Sequence, residues 1–243
     1  MAKLVQKSGY IKSGKASGYM RYIATREGVE KLAGNGAVTK GQRELIQKLL
    51  HDFPDAVELF EYEDYCKTPT LGTASAFITM ALDANLHEID SESGYMQYIA
   101  TRPRVQKRGA HGLFSSATAV DLASAMSELE AHEGNVWTII YSLRREDAAR
   151  LEYDSADAWR TLLMENAPAL AKSMKISLDN FHWYAAFHDE GHHPHIHMMV
   201  WSDDPKEGFL TRDGIATMRS KLTNAIFRDE MQQIYERKDV AYS

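Results

Sequence analysis

The chain has 243 residues, 44% of them hydrophobic, and a formal net charge of −6. That length can bury a substantial core in one large domain or two small ones. Its one cysteine, Cys66, excludes an internal disulfide framework and a cysteine-built zinc cluster, which fits a reducing, cytoplasmic compartment. No apolar run is long enough for a transmembrane span or a signal peptide, so membrane insertion is not expected.

The acidic average hides an uneven distribution. Residues 1–48 carry ten Lys/Arg against three Asp/Glu, residues 49–93 one against ten, and residues 94–120 four against none. Two basic segments flanking an acidic one suit a local phosphate-binding surface.

In chain order, loose alternation predicts a strand over residues 3–11. A helix follows from Ser17, with Tyr19, Tyr22 and Ile23 at helical spacing. Its core, Gly18-Tyr-Met-Arg-Tyr-Ile-Ala-Thr-Arg26, recurs as Gly94-Tyr-Met-Gln-Tyr-Ile-Ala-Thr-Arg102, with one difference, Arg21 against Gln97. The similarity fades outside this stretch, so it is a duplicated local element and not a repeat array.

Between the copies, Thr39 is an N-cap for a helix striped with Leu45, Ile46, Leu49 and Leu50, ended by Phe53-Pro54-Asp55. Residues 59–65 are acidic and aromatic and take no clear assignment. Another amphipathic helix is expected over residues 73–86. Residues 28–90 thus read as a mostly helical insertion. Past the second copy come a short strand at residues 111–115, a helix from Asp121 to His132, and a buried strand at residues 136–143. Residues 144–148 read as a charged exit loop. A helix then runs from Ser155 or Asp157 towards Lys175. Residues 208–210 suggest a small strand, and a last helix covers residues 211–237. Mixed elements of this kind predict an α/β (α+β) fold, a central, mostly antiparallel sheet with helices packed on it.

Residues 181–188 and 195–201 are apolar stretches joined by a polar turn containing Gly191 and Pro194. A strand's period of two puts His195 and His197 on one face, and hairpin pairing sets His188 opposite His195. Three converging imidazoles make a facial metal site with open positions, which by ligand type would take zinc, manganese, cobalt or nickel. His182 shares that face but lies farther from the turn, and His192 and His193 read as solvated turn residues. A tyrosine hydroxyl in the doubled motif can act as a nucleophile towards a phosphate polarised by a metal. Tyr22 and Tyr98 are the candidates, with Tyr19 and Tyr95 as packing or base-stacking neighbours. Arg26, Arg102, Arg104, Lys107 and Arg108 could contact phosphates. Glu146 or Asp147 could hydrogen-bond a ligand imidazole, although Arg145 beside them suits a surface ion pair equally well.

These residues carry a resemblance. His188-Asp189 followed by His193-Pro194-His195-Ile196-His197, with Trp183-Tyr184-Ala185-Ala186 before them, resembles the histidine motif of HUH-type conjugative relaxases. Within these it is most similar to the MobP group, in particular to MobL-type proteins of mobile elements. The two Tyr-Ile-Ala-Thr-Arg segments are similar to the motif that carries the catalytic tyrosine, and the order of elements also fits. The resemblance covers most of the chain, least well at residues 28–90.

It implies one relaxase domain over residues 1–243, with an HUH endonuclease fold and the helical insertion at about 28–90. The implied activity is nicking of one DNA strand at an origin of transfer, and religation, for conjugative transfer. His188, His195 and His197 would hold Mg²⁺ or Mn²⁺ against the scissile phosphate, and Tyr22 or Tyr98 would form a 5′-phosphotyrosyl link. Single-stranded DNA is the implied partner, together with accessory relaxosome proteins and a coupling protein. Such relaxases continue into longer C-terminal regions, so the chain reads as a domain of something larger. A rolling-circle replication initiator or a single-strand transposase is the near alternative, although those commonly use two histidines with another ligand. A non-nicking metal-binding DNA adaptor and a water-activating metallohydrolase are alternatives of other classes.

Overall fold

The computed structural model describes residues 3–10, 35–85, 92–101, 105–189 and 193–228. Side-chain oxygens start several helices where short polar residues precede apolar periodicity. Thr39 accepts from the Gln42 amide at 3.1 Å while the Gln42 side chain accepts from the Thr39 amide at 3.0 Å, a reciprocal capping box. Asp121, Ser155 and Thr211 accept in the same way from the amides of Ser124, Ala158 and Gly214. Eight α-helices result among the described residues: α1 (Lys40–Asp52), α2 (Phe60–Lys67), α3 (Leu71–Ala84), α4 (Glu92–Thr101), α5 (Leu122–Glu130), α6 (Arg145–Arg150), α7 (Ala156–Ser173) and α8 (Arg212–Ile226).

The strands are β1 (Val5–Tyr10), β2 (Leu113–Phe114), β3 (Trp137–Ser142), β4 (Phe181–His188) and β5 (His195–Ser202). They form one five-stranded sheet in the order β1-β3-β5-β4-β2, antiparallel at every pairing. This α+β arrangement, an antiparallel sheet covered by helices, is the fold class expected from the sequence.

Strand periodicity divides the sheet's residues between its two faces, which pack into different clusters. Trp183, Ala185 and Phe187 of β4, with Ile196, Met198 and Val200 of β5, pack under Trp159, Leu162, Leu163 and Leu170 of α7 and Met218 and Leu222 of α8. The other face is shared by two helical groups. Val5 and Ile140 pack with Leu49 of α1 and Phe77 and Ile78 of α3. Ala186, Met199 and Trp201 pack with Tyr95, Met96 and Ile99 of α4 and with Ala125 and Leu129 of α5. On that same face, edge strand β1 carries Lys7, 8% exposed, with its Nζ 3.2 Å from an Asp55 oxygen. Burial holds the Lys7 ammonium below its ordinary pKa, with Asp55 pulling the other way.

Several expectations change. Residues 59–65, left unassigned, lie mostly in α2, and the supposed charged loop after β3 winds into α6. Residues 208–210 form no strand; the Gly208 carbonyl instead accepts from the Trp137 indole at 2.7 Å. The short strand near residue 113 is two residues long. The helix expected from Ser17, and the end of the last helix beyond residue 228, lie outside the described residues.

The core under α7 centres on Trp159, which is 0% exposed and donates its indole N–H to the Tyr153 carbonyl at 2.9 Å. Trp159→Ala is expected to lower unfolding free energy by about 3–5 kcal/mol, read from the urea midpoint at constant m-value. An unchanged midpoint would contradict this packing.

Candidate metal centre and the helix that bears on it

The β4–β5 register places His188 directly opposite His195 and Ala186 opposite His197. On its other side β5 pairs His195 with Ser142 and His197 with Ile140. All three imidazoles therefore emerge on the face that α4 covers. They are no more than 1% exposed. Ring centroids lie 5.2 Å apart for His188–His195, 4.6 Å for His188–His197 and 5.0 Å for His195–His197. One donor atom from each residue lies within 4.8 Å of the others. The end of β4 is pinned on its outer side as well, by the Val105–His188 bridge and the Gln106 N–H donating to the Phe187 carbonyl at 2.9 Å.

Each ring has one nitrogen committed elsewhere. His188 Nε2 meets the Ile99 carbonyl at 2.9 Å and His195 Nδ1 the His193 carbonyl at 3.1 Å. A carbonyl only accepts, so both of those nitrogens carry the proton. His197 Nδ1 lies 3.0 Å from the Tyr95 hydroxyl. The other nitrogens, Nδ1 of His188 and Nε2 of His195 and of His197, are the ones a metal would take, and all three are shut off from solvent. Neutral imidazoles with their second nitrogens held by hydrogen bonds are what a divalent cation requires of histidine ligands. Three such donors leave coordination positions for a substrate. The residues present thus fit a divalent metal.

Of the two candidate nucleophiles, Tyr98 lies on α4, half-buried, and donates to Asp83 Oδ1 at 2.9 Å. Asp83 itself is 0% exposed on α3, so Tyr98 ties the helix over the histidines to the helical group beside it. Tyr22 and Arg26, with Tyr19, lie outside the described residues, as do Arg102 and Arg104. Lys107 is exposed, and Arg108 forms an ion pair with Asp157. Glu146 is exposed on α6, and Asp147 is buried against Arg150. The second-sphere places considered for those two acids are occupied instead by two backbone carbonyls and Tyr95. His182 stands at the far end of the hairpin, stacked on Trp201 and 2.6 Å from Asp203. His192 lies outside the described residues.

His193 corrects the sequence reading. Expected in a solvated turn, it is 4% exposed, with its Nε2 2.7 Å from Asp64 Oδ2 and its ring 5.1 Å from that of Phe60. Arg144 closes the cluster, meeting Asp64 at 3.3 Å and Glu63 at 3.1 Å while its guanidinium sits 4.7 Å from the Phe60 ring centre. α2 is thereby tied to the segment that enters β5. An acidic, aromatic stretch between two basic segments was the signal available, but nothing in the sequence paired Asp64 with His193.

Burial pushes the Asp64 carboxyl up, but the His193 hydrogen bond and the charges of His193 and Arg144 outweigh it and hold the pKa below its ordinary value. A carboxylate depressed by folding adds stability above its unfolded pKa and loses it as pH falls through the folded one. Asp64→Asn is expected to cost about 1 kcal/mol at about pH 7, with the gap to wild type closing at about pH 2. Urea unfolding at the two pH values checks this; a gap that persists in acid would show a role other than charge.

No described helix is long and apolar enough to cross a membrane. A family model described as MobL relaxases matches residues 1–242. No curated protein and no solved structure matches the chain.

Proposed function

Because the chain belongs to the MobL relaxase family and is accordingly a DNA relaxase, we propose that it nicks one strand at an origin of transfer, and reseals it, through a 5′-phosphotyrosyl link. The observation that carries this reading is the seating of α4, which bears the second tyrosine motif, directly on His188 and His197. His188, His195 and His197 would hold a divalent ion, Mg²⁺ or Mn²⁺. Such an ion, when bound, polarises a phosphoryl oxygen and stabilises negative charge as the scissile bond breaks.

The nucleophile is a tyrosine of the doubled motif, Tyr22 or Tyr98. Attack forms a bond from its Oη to phosphorus and breaks the bond from phosphorus to O3′. The 5′-phosphate then stays on the protein, and the 3′-oxygen leaves and takes a proton from solvent water to become a hydroxyl. A phenol with an ordinary pKa near 10 needs somewhere to place its proton. For Tyr98 the acceptor is the Asp83 carboxylate, already its hydrogen-bond partner at 2.9 Å. One phosphodiester replaces another, so resealing is the same step reversed and needs no ATP. Arg26, Arg102, Arg104, Lys107 and Arg108 would bind backbone phosphates, Arg108 by exchanging Asp157 for DNA. Single-stranded DNA is the substrate in this reading, the cytoplasm the compartment, and accessory relaxosome proteins and a coupling protein the further partners.

Protein mixed with Mn²⁺ and a single-stranded origin oligonucleotide is expected to give a covalent adduct that survives a denaturing gel and disappears when EDTA is present. Of Tyr22→Phe and Tyr98→Phe, the one that removes the nucleophile loses the adduct. Absence of an adduct across a pool of origin sequences would overturn the proposal. Cleavage that leaves no protein on the DNA would instead favour a hydrolase using water.

A further inference from the structure

Three contacts hold the outer nitrogens of the candidate ligands, and two of them are backbone carbonyls. The third is a side chain. The Tyr95 hydroxyl lies 3.0 Å from His197 Nδ1, with the two ring centroids 6.2 Å apart and steeply inclined at 70°. Tyr95 is 1% exposed and packed in the cluster that includes Met96, Ile99, Ala186 and Met199. Its phenol oxygen is therefore fixed by packing, with only two side-chain torsions to restrain.

We propose that Tyr95 is a positioning residue for the metal centre, orienting the His197 ring and holding its proton on Nδ1 so that Nε2 faces the ion. This inference rests on the three-histidine metal reading above. An imidazole has two tautomers and can turn over in its plane, and only one of these arrangements offers Nε2 as a ligand. A phenol oxygen can donate as well as accept, so its position fixes which edge of the ring faces Tyr95, and in the accepting role it keeps the proton on Nδ1. A phenol is neutral, so the contact acts by orientation more than by adding charge to the ligand. Ile99, four residues on along α4, fixes His188 through its carbonyl. One turn of one helix therefore sets two of the three ligands, one through its backbone and one through Tyr95. Substitution can take away the second contact without touching the first. The tyrosine motif thus has a task at the metal that is separate from supplying a nucleophile.

The test uses the full chain and Co²⁺ as the probe, with affinity from calorimetry and ligand geometry from the visible absorption of the bound ion. Tyr95→Phe keeps the packing and removes the oxygen. It is expected to weaken Co²⁺ binding by about 10- to 100-fold and to alter the visible spectrum. Tyr184→Phe serves as the control. It removes a hydroxyl that donates to Glu128 at 2.9 Å on the same sheet face and should bind Co²⁺ as wild type does. In metal-free wild-type protein, the ¹⁵N spectrum of His197 should report the Nδ1–H tautomer. Wild-type affinity and an unchanged spectrum in Tyr95→Phe would overturn the proposal. So would an Nε2–H tautomer in the wild type, a readout that holds even where the variant fails to fold. Wild-type protein that binds no ion would remove the metal reading itself and this inference with it.

Discussion

The candidate centre depends on the register of a single strand pair. His188 faces His195 only because β4 and β5 meet as they do. A slip of one residue would turn His195 and His197 to the opposite face and bring Ile196 and Met198 round in their place. Those two imidazoles would then enter the apolar core beneath Trp159 and Leu163, where their hydrogen bonds to His193 and Tyr95 would be lost. Alternation of polar and apolar residues does not enforce this register, since every residue of β5 is buried. It is held from three sides: by β3, which pairs His195 with Ser142, by β4, and by the bridge from Val105 that fixes the end of β4.

Much of this was legible in the sequence, for physical reasons that differ from element to element. Thr39, Asp121 and Ser155 cap helices because a short side-chain oxygen before an apolar run has an amide to accept from, whatever the rest of the chain does. The histidine hairpin was legible because a period of two and a short turn leave few ways to arrange His188, His195 and His197. Short elements escaped. The charged run after β3 reads as a loop because its surface polarity carries no apolar stripe, yet Ala148 gives α6 one fully buried contact. Residues 208–210 have strand-like composition but no strand to pair with; the Gly208 carbonyl goes to Trp137.

At the site, the clustering of the three histidines was legible and their surroundings were not. Two of the three outer contacts come from backbone carbonyls, of Ile99 and His193, and a carbonyl is present at every residue, so no motif marks it. Tyr95 was visible only as a neighbour of Tyr98, one turn away, and helical spacing alone gives no way to tell which tyrosine meets a histidine and which an aspartate. The structure separates them: Tyr95 meets His197 and Tyr98 meets Asp83. His193 was misjudged for a related reason. A polar residue beside Gly and Pro in a turn is ordinarily wet, and only the approach of α2, with Asp64, Phe60 and the Arg144 guanidinium, encloses it.

The buried lysine on β1 has a consequence for how the molecule coexists with copies of itself. Among the described residues the sheet ends at β1 on one side and at β2 on the other. An open strand edge invites another chain to add to the ladder, which is the usual route to β-type aggregation. Here β2 is only two residues long, too short to template much pairing. β1 is longer, but Lys7 points inward from it to Asp55. A strand arriving there would extend over an ammonium already held in costly surroundings and deprive it of further solvent. One border of the sheet is thus protected by brevity and the other by a charge turned inward.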